Sequence, residues 1–222
     1  MILDALELQT GDGPQASVIV LHGLGADGND FVPIVSELDL ESIGPVRFVF
    51  PHAPVRPVTI NAGYQMRAWY DVLTDDFVRR EDESGLRASG DAILALIDRE
   101  IERGIEARRI VLMGFSQGGA MTLLAGLRAR KRLAGLGVLS AYLPLADTTP
   151  TERDPANRDI PIFQAHGRFD PVVAYERGTA ARDALTALGY SVEWHEYRME
   201  HSVCPEEIID LNRWMQRVLA RT

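Results

Sequence analysis

Gly114-Phe115-Ser116-Gln117-Gly118-Gly119 sets a hydroxyl between two glycines, directly after the apolar run Ile110-Val111-Leu112-Met113. A strand that turns sharply into a helix at a serine strains that residue's backbone and lifts its hydroxyl clear of the sheet. Side chains two residues to either side would collide with the turn, and Gly114 and Gly118 remove them. The next residues, Ala120-Met121-Thr122-Leu123-Leu124-Ala125-Gly126-Leu127, continue as a mostly apolar helical segment. The pattern alone recurs by chance; its strand-turn-helix setting makes Ser116 a candidate nucleophile.

A hydroxyl needs a base, and an imidazole base needs a carboxylate to fix its tautomer. Residues 160–166 read as a short buried strand running into His166-Gly167-Arg168-Phe169-Asp170, which leaves Asp170 on the loop beyond it. Residues 191–197 alternate toward Arg198-Met199-Glu200-His201, so His201 also follows a strand. The rivals are placed differently. His22 and His166 end strands beside glycines and are candidates to line a pocket, His52 belongs to a rim segment, and His195 lies inside a strand. Asp154 and Asp159 precede their strand and fall at its opposite end. The chain order Ser116, Asp170, His201 is that of α/β-hydrolases.

A tetrahedral oxyanion also needs donors. The strand at 17–22 opens into His22-Gly23-Leu24-Gly25-Ala26-Asp27-Gly28, a glycine-rich loop able to aim backbone amides at a substrate oxygen. The backbone N–H groups of Leu24 and Gln117 are the expected pair, with side chains that should be poor mutational probes. Gly23, Trp69, Tyr70 and Phe115 are the substrate-pocket candidates. Trp69 and Tyr70 divide between a core cluster and the wall of an acyl pocket, and Phe115 between pocket and core.

The elements that must hold these groups alternate, which predicts an α/β protein; with the chain order of Ser116, Asp170 and His201, the expectation is an α/β-hydrolase fold with a mostly parallel central sheet and helices on both faces. Strands are expected near 4–9, 17–22, 46–50, 109–113, 135–140, 160–166 and 191–197. Helices are expected at about 30–40, 87–103, 117–130, 175–188 and 205–220. The last is apolar at Ile208, Ile209, Leu211, Met215, Val218 and Leu219, with Pro205, Glu206 and Glu207 suiting its first turn. Residues 51–85 carry prolines, glycines, aromatics and the acidic pair Asp75-Asp76, with weak periodicity, as expected of a rim or lid-like insertion in an otherwise single domain over 1–222. Arg128-Ala129-Arg130-Lys131-Arg132 ends a helix, where cations complement the dipole, and no partner is assigned to it.

Composition narrows the class. The 222 residues are 46% hydrophobic, enough for a large core, and carry a net charge of −9, which argues against nucleic acid or an anionic membrane surface as partner. No run approaches a membrane span and the acidic start lacks the pattern of a signal peptide, so the expected location is cytoplasmic. The single cysteine, Cys204, has no internal disulfide partner.

Further stretches carry a family likeness: Leu21-His22-Gly23-Leu24-Gly25-Ala26-Asp27-Gly28-Asn29-Asp30, Phe50-Pro51-His52-Ala53-Pro54, Gly63-Tyr64 through Ala68-Trp69-Tyr70-Asp71, the elbow, Leu139-Ser140-Ala141-Tyr142-Leu143-Pro144, and His201-Ser202-Val203-Cys204-Pro205-Glu206-Glu207. In this order, and over nearly the whole chain, the sequence resembles the bacterial carboxylesterase and acyl-protein thioesterase (phospholipase/carboxylesterase) family of small α/β-hydrolases. Ala174 stands where many relatives have proline, away from the chemistry. The resemblance implies a triad of Ser116, Asp170 and His201 with Leu24 and Gln117 as oxyanion donors.

The expected activity is a serine carboxylesterase cleaving short- to medium-chain acyl esters through an acyl-enzyme, with no metal or organic cofactor. An acyl-protein thioesterase or lysophospholipase is the alternative of the same chemistry. A catalytically silent binding module is the alternative of another class, but it should have lost a triad member or an oxyanion glycine. The partner is a small-molecule acyl ester or thioester; no nucleic acid and no integral membrane contact are expected, and a homodimer is a candidate assembly by resemblance only. Nothing around Cys204 marks a lowered thiol pKa, so Cys204→Ser should retain ester hydrolysis. A turnover loss matching that of Ser116→Ala in the same assay would refute this.

Overall fold

The computed structural model describes residues 3–74 and 81–220. Nine strands run in chain order: β1 (Ala5–Gln9), β2 (Ala16–Leu21), β3 (Val46–Pro51), β4 (Val55–Val58), β5 (Tyr64–Arg67), β6 (Ile110–Phe115), β7 (Gly135–Leu139), β8 (Ile162–Gly167) and β9 (Val192–Tyr197). Between them lie α1 (Ile34–Glu37), α2 (Glu83–Glu102), α3 (Gln117–Arg128), α4 (Thr149–Glu152) and α5 (Tyr175–Ala187), and α6 (Pro205–Val218) follows β9. Seven strands form one sheet in the order β1-β3-β2-β6-β7-β8-β9. Within that sheet, among the described residues, only β1 runs antiparallel to its neighbour.

The central strands are buried on both faces, as their near-continuous apolar runs require. Along β2, Val18 and Val20 point into one apolar cluster, while Ile19 and Leu21 point into the other. The cluster holding Ile19 and Leu21 is closed by residues of α2, α3 and α5; the opposite one is closed by α1 and by Leu211, Trp214 and Met215 of α6. Helices thus cover both faces, and the parallel strands deliver their carboxyl ends to one rim. Among the described residues no helix is long and apolar enough to cross a membrane.

Two expectations about local structure need correcting. No helix spans 30–40: a 3-10 turn at Gly28–Phe31, the single turn α1 and a second 3-10 turn at Glu41–Ile43 stand there instead. Pro33 sits at the start of a turn, where its missing N–H is tolerated, and Leu38 turns extended and buries its side chain. Within 51–85, the described residues 51–74 and 81–85 hold more regular structure than their weak periodicity suggests. β4 and β5 pair as an antiparallel hairpin, residues 68–72 sink toward the core, and α2 begins at Glu83 rather than 87. The pair Asp75-Asp76 lies outside the described residues.

Gly25 N donates to Arg67 O (2.9 Å), which fastens the hairpin to the glycine-rich loop, and Arg67 Nη1 donates to Ala53 O (2.9 Å), which ties it to the segment after β3. Arg128 and Arg132 are taken up in ion pairs with Glu152 and Asp159. In α6, Ile209 is half exposed and leaves the buried stripe, whose place is filled by Trp214.

Glu207 lies in the first turn of α6 as expected but is fully buried, and no side chain among the described residues answers its carboxyl oxygens. Burial pushes its pKa up to about 8, against the opposing influence of the Cys204 amide. The folded chain therefore keeps a proton that the unfolded chain releases near the ordinary carboxylate value, so stability falls as pH rises between the two and levels off above the higher one. Glu207→Gln should remove that slope. Urea midpoints from about pH 5 to about pH 8 should decline less in the variant than in the parent, and parallel declines would show that the side chain does not titrate this way.

Candidate active site

Ser116 occupies the turn between β6 and α3 with φ 55° and ψ −120°, a left-handed backbone that costs a serine about 1–3 kcal/mol. The turn survives because its neighbours leave no other path. A Cβ on Gly118 would lie 2.1 Å from Leu21 O, and one on Gly114 would lie 2.5 Å from the Gly118 carbonyl. The amide of Ser116 donates to Leu139 O at the end of β7 (2.9 Å), and its carbonyl accepts from Ala120 N (3.0 Å), the first helical bond of α3.

The three dispersed residues meet beside this turn. Ser116 Oγ is 2.9 Å from His201 Nε2, and His201 Nδ1 is 2.7 Å from Asp170 Oδ2. Because a carboxylate only accepts, Nδ1 carries the proton and Nε2 is left to take the serine's. The other carboxylate oxygen, Asp170 Oδ1, accepts from Val172 N and Val173 N, both at 2.8 Å. Burial works against the Asp170 charge, yet the bonds from His201, Val173 and Val172 outweigh it and hold the carboxyl below its ordinary value. Phe115 packs tilted against the His201 ring with 4.6 Å between centroids, and so lies within the site, half-buried.

The glycine-rich loop lies against the elbow: a Cβ on Gly23 would sit 3.5 Å from Ser116 Cβ. Leu24 follows it, half-buried, and its amide donates no backbone hydrogen bond among the described residues. Gln117 begins α3, where an amide has no acceptor within the helix. The loop expected to supply one oxyanion amide thus lies against the elbow expected to supply the other.

Trp69 and Tyr70 are core rather than wall. Trp69 is 0% exposed and held at three points: its amide donates to Gln117 Oε1 (2.8 Å), its indole N–H donates to His22 O (2.9 Å), and its carbonyl accepts from Ser89 Oγ. Tyr70 is 3% exposed, its carbonyl accepts from Gln117 Nε2 (2.8 Å), and its hydroxyl meets that of Tyr142 (2.8 Å). The Gln117 side chain is therefore a clamp between the elbow and residues 69–70. Sequence reasoning discounted it, because the amide of an oxyanion donor drew attention away from the side chain.

His22 was another missed support. Its Nε2 accepts from Ala53 N (3.0 Å) and its Nδ1 faces Gly23 O (2.7 Å), which fixes a neutral ring protonated at Nδ1. Burial lowers its pKa, opposed by the Gly23 carbonyl, and so favours that neutral form. His52 likewise accepts from Gly28 N (3.0 Å). A strand-end histidine followed by glycine was visible in sequence; what its ring would bond was not.

A cavity of about 540 Å³ bordered by Thr10, Asp39 and Phe48 lies by the start of β3, at the opposite end of the strands from Ser116. Chemistry belongs at the carboxyl ends, where the titratable groups converge. There the exposed apolar side chains on the Asp170 loop are Phe169 (59%) and Val172 (54%). Among the described residues no group of three or more His, Cys, Asp or Glu side chains is arranged to hold a metal ion.

With this geometry in view, the likeness to known proteins is specific. Residues 6–219 match the family described as phospholipase/carboxylesterase. The chain is 43% identical to acyl-protein thioesterase 1 of Mycosarcoma maydis over 95% of this chain and 94% of that one. Among solved structures it is similar to Arabidopsis thaliana SOBER1, with a TM-score of 0.88 and 32% identity over 92% of this chain and 99% of that one. It is also similar to Zea mays acyl-protein thioesterase 2, with a TM-score of 0.87 and 28% identity over 98% and 99%.

Gln117→Ala should cost about 2–4 kcal/mol in urea unfolding, because it leaves the Trp69 amide and the Tyr70 carbonyl buried without partners. It should also lower kcat. Parent-like stability and turnover would mean that the clamp contributes nothing.

Proposed function

We propose, starting from the fact that this chain belongs to the phospholipase/carboxylesterase family of serine hydrolases, that it cleaves acyl thioesters and the matching oxyesters through an acyl-enzyme on Ser116. The observation that carries the reading is the unbroken relay from Ser116 Oγ through both nitrogens of His201 to Asp170. His201 Nε2 takes the serine proton as Oγ bonds to the acyl carbon, and the charge that develops on the substrate oxygen is met by the amides of Leu24 and Gln117. As the carbon–sulfur or carbon–oxygen bond breaks, His201 returns the proton to the leaving thiol or alcohol. Water then gives a proton to His201 and its hydroxyl to the acyl carbon, Ser116 regains its hydrogen, and a carboxylic acid leaves.

The thioester is placed first because relatives more than 40% identical, from Mycosarcoma maydis and Neurospora crassa, carry the name acyl-protein thioesterase 1. This reorders the expectation from sequence, which set short- to medium-chain oxyesters ahead. The apolar lip of Phe169 and Val172 beside Asp170 suits an acyl chain more than a polar group.

Matched thioester and oxyester series of increasing acyl length, assayed with the parent and Ser116→Ala, test the proposal. The parent should cleave both, with higher kcat/KM for the thioester of each pair. Ser116→Ala should lose at least about 10⁴-fold in kcat on either. Retained activity in that variant would overturn the mechanism, and a consistent oxyester preference would restore the carboxylesterase reading.

A further inference from the structure

A second imidazole stands behind the triad carboxylate. His166, on β8, is fully buried, with Nε2 2.8 Å from Val173 O and 3.6 Å from Asp170 Oδ2, the oxygen that faces His201. A carbonyl only accepts, so the proton resides on Nε2 and a neutral ring leaves Nδ1 bare. Nδ1 is indeed buried without a partner among the described residues. The backbone of α5 seals that edge: a Cβ on Gly178 would lie 2.4 Å from Nδ1. Trp194 stacks on the ring at 6.4 Å and Tyr175 meets its edge at 6.2 Å.

We infer that His166 is a positioning residue for Asp170, resting on the triad assignment proposed above. The turn Asp170-Pro171-Val172-Val173 is closed by two amides donating to Asp170 Oδ1, and His166 pins the far end of that turn through Val173 O. Carboxylate, amides and imidazole N–H thus form one rigid unit, which leaves Oδ2 aimed at His201. Nε2 of His166 stands 3.6 Å from Oδ2, outside hydrogen-bond reach, so that oxygen is left to His201. A charged His166 would draw on the same carboxylate as His201, and the site discourages that charge. Burial lowers the His166 pKa, against the Val173 carbonyl and Asp170, while His201 adds to the lowering and Glu176 on α5 opposes it. Gly178 leaves no room beside Nδ1 for an acceptor.

The test is a double-mutant cycle with an acyl ester as substrate: His166→Leu and Asp170→Asn, singly and together, with His166→Gln as the conservative change. His166→Leu should lower kcat about 10- to 100-fold while KM changes less than about twofold. The acid limb of kcat/KM should move to lower pH, because a loosened carboxylate supports a protonated His201 less well. His166→Gln, whose amide can still donate to Val173, should recover most of the rate. In the Asp170→Asn background, His166→Leu should cost less than about twofold.

An equal loss in both backgrounds, or a His166→Leu enzyme with the parent's kcat and acid limb, would overturn the inference. Parent-like activity of Asp170→Asn would instead bring down the triad reading, and this inference with it, through a different result. Should the leucine variant not fold, nitrogen NMR of the parent's imidazoles decides: a neutral His166 protonated at Nε2 from about pH 5 to about pH 8 supports the inference, and a charged ring or an Nδ1–H ring overturns it.

Discussion

The end of β2 and the start of α3 touch backbone to backbone, and most of the site depends on that contact. A single methyl on Gly118 would overlap Leu21 O, so the first turn of α3 rests directly on the strand that becomes the glycine-rich loop. This fixes Ser116 and Gln117 relative to Gly23 and Leu24 by contact between main chains, which have no rotamers to adjust. Donors aimed at a developing charge help most when they need not move to meet it. The distance between them is set by packing that any side chain would spoil.

A buried polar lattice secures the same arrangement from behind. Trp69 links the carbonyl of His22 to the side chain of Gln117, and His22 in turn holds Gly23 O and Ala53 N. Each of these polar groups is satisfied, which the low dielectric of the interior makes both rewarding and demanding. The lattice joins the end of β2, the segments on either side of the hairpin and the elbow, four stretches apart in sequence. Local propensity plays little part in it.

That contrast explains what could be read from the chain. The elbow was legible because its chemistry needs glycines at fixed offsets, and Asp170 and His201 because each directly follows a short strand. The parallel sheet was legible in its apolar runs. The helix expected at 30–40 failed, and the hairpin within 51–85 went unread, because tertiary contacts decide both. Pro33 and a buried Leu38 break the first into turns, and pairing of β4 with β5 builds the second despite Pro57. The tasks of Gln117, His22 and His166 were invisible because a side chain's bonding partner across the fold leaves no mark on the residues beside it.

The strained backbone of Ser116 sets durability against turnover. Glycine would sit at φ 55° without penalty and would relax the elbow, so the change that most simply strengthens this turn also discards its hydroxyl. Screening for heat resistance alone would therefore reward inactive chains at position 116, and a useful screen must score product formation together with survival.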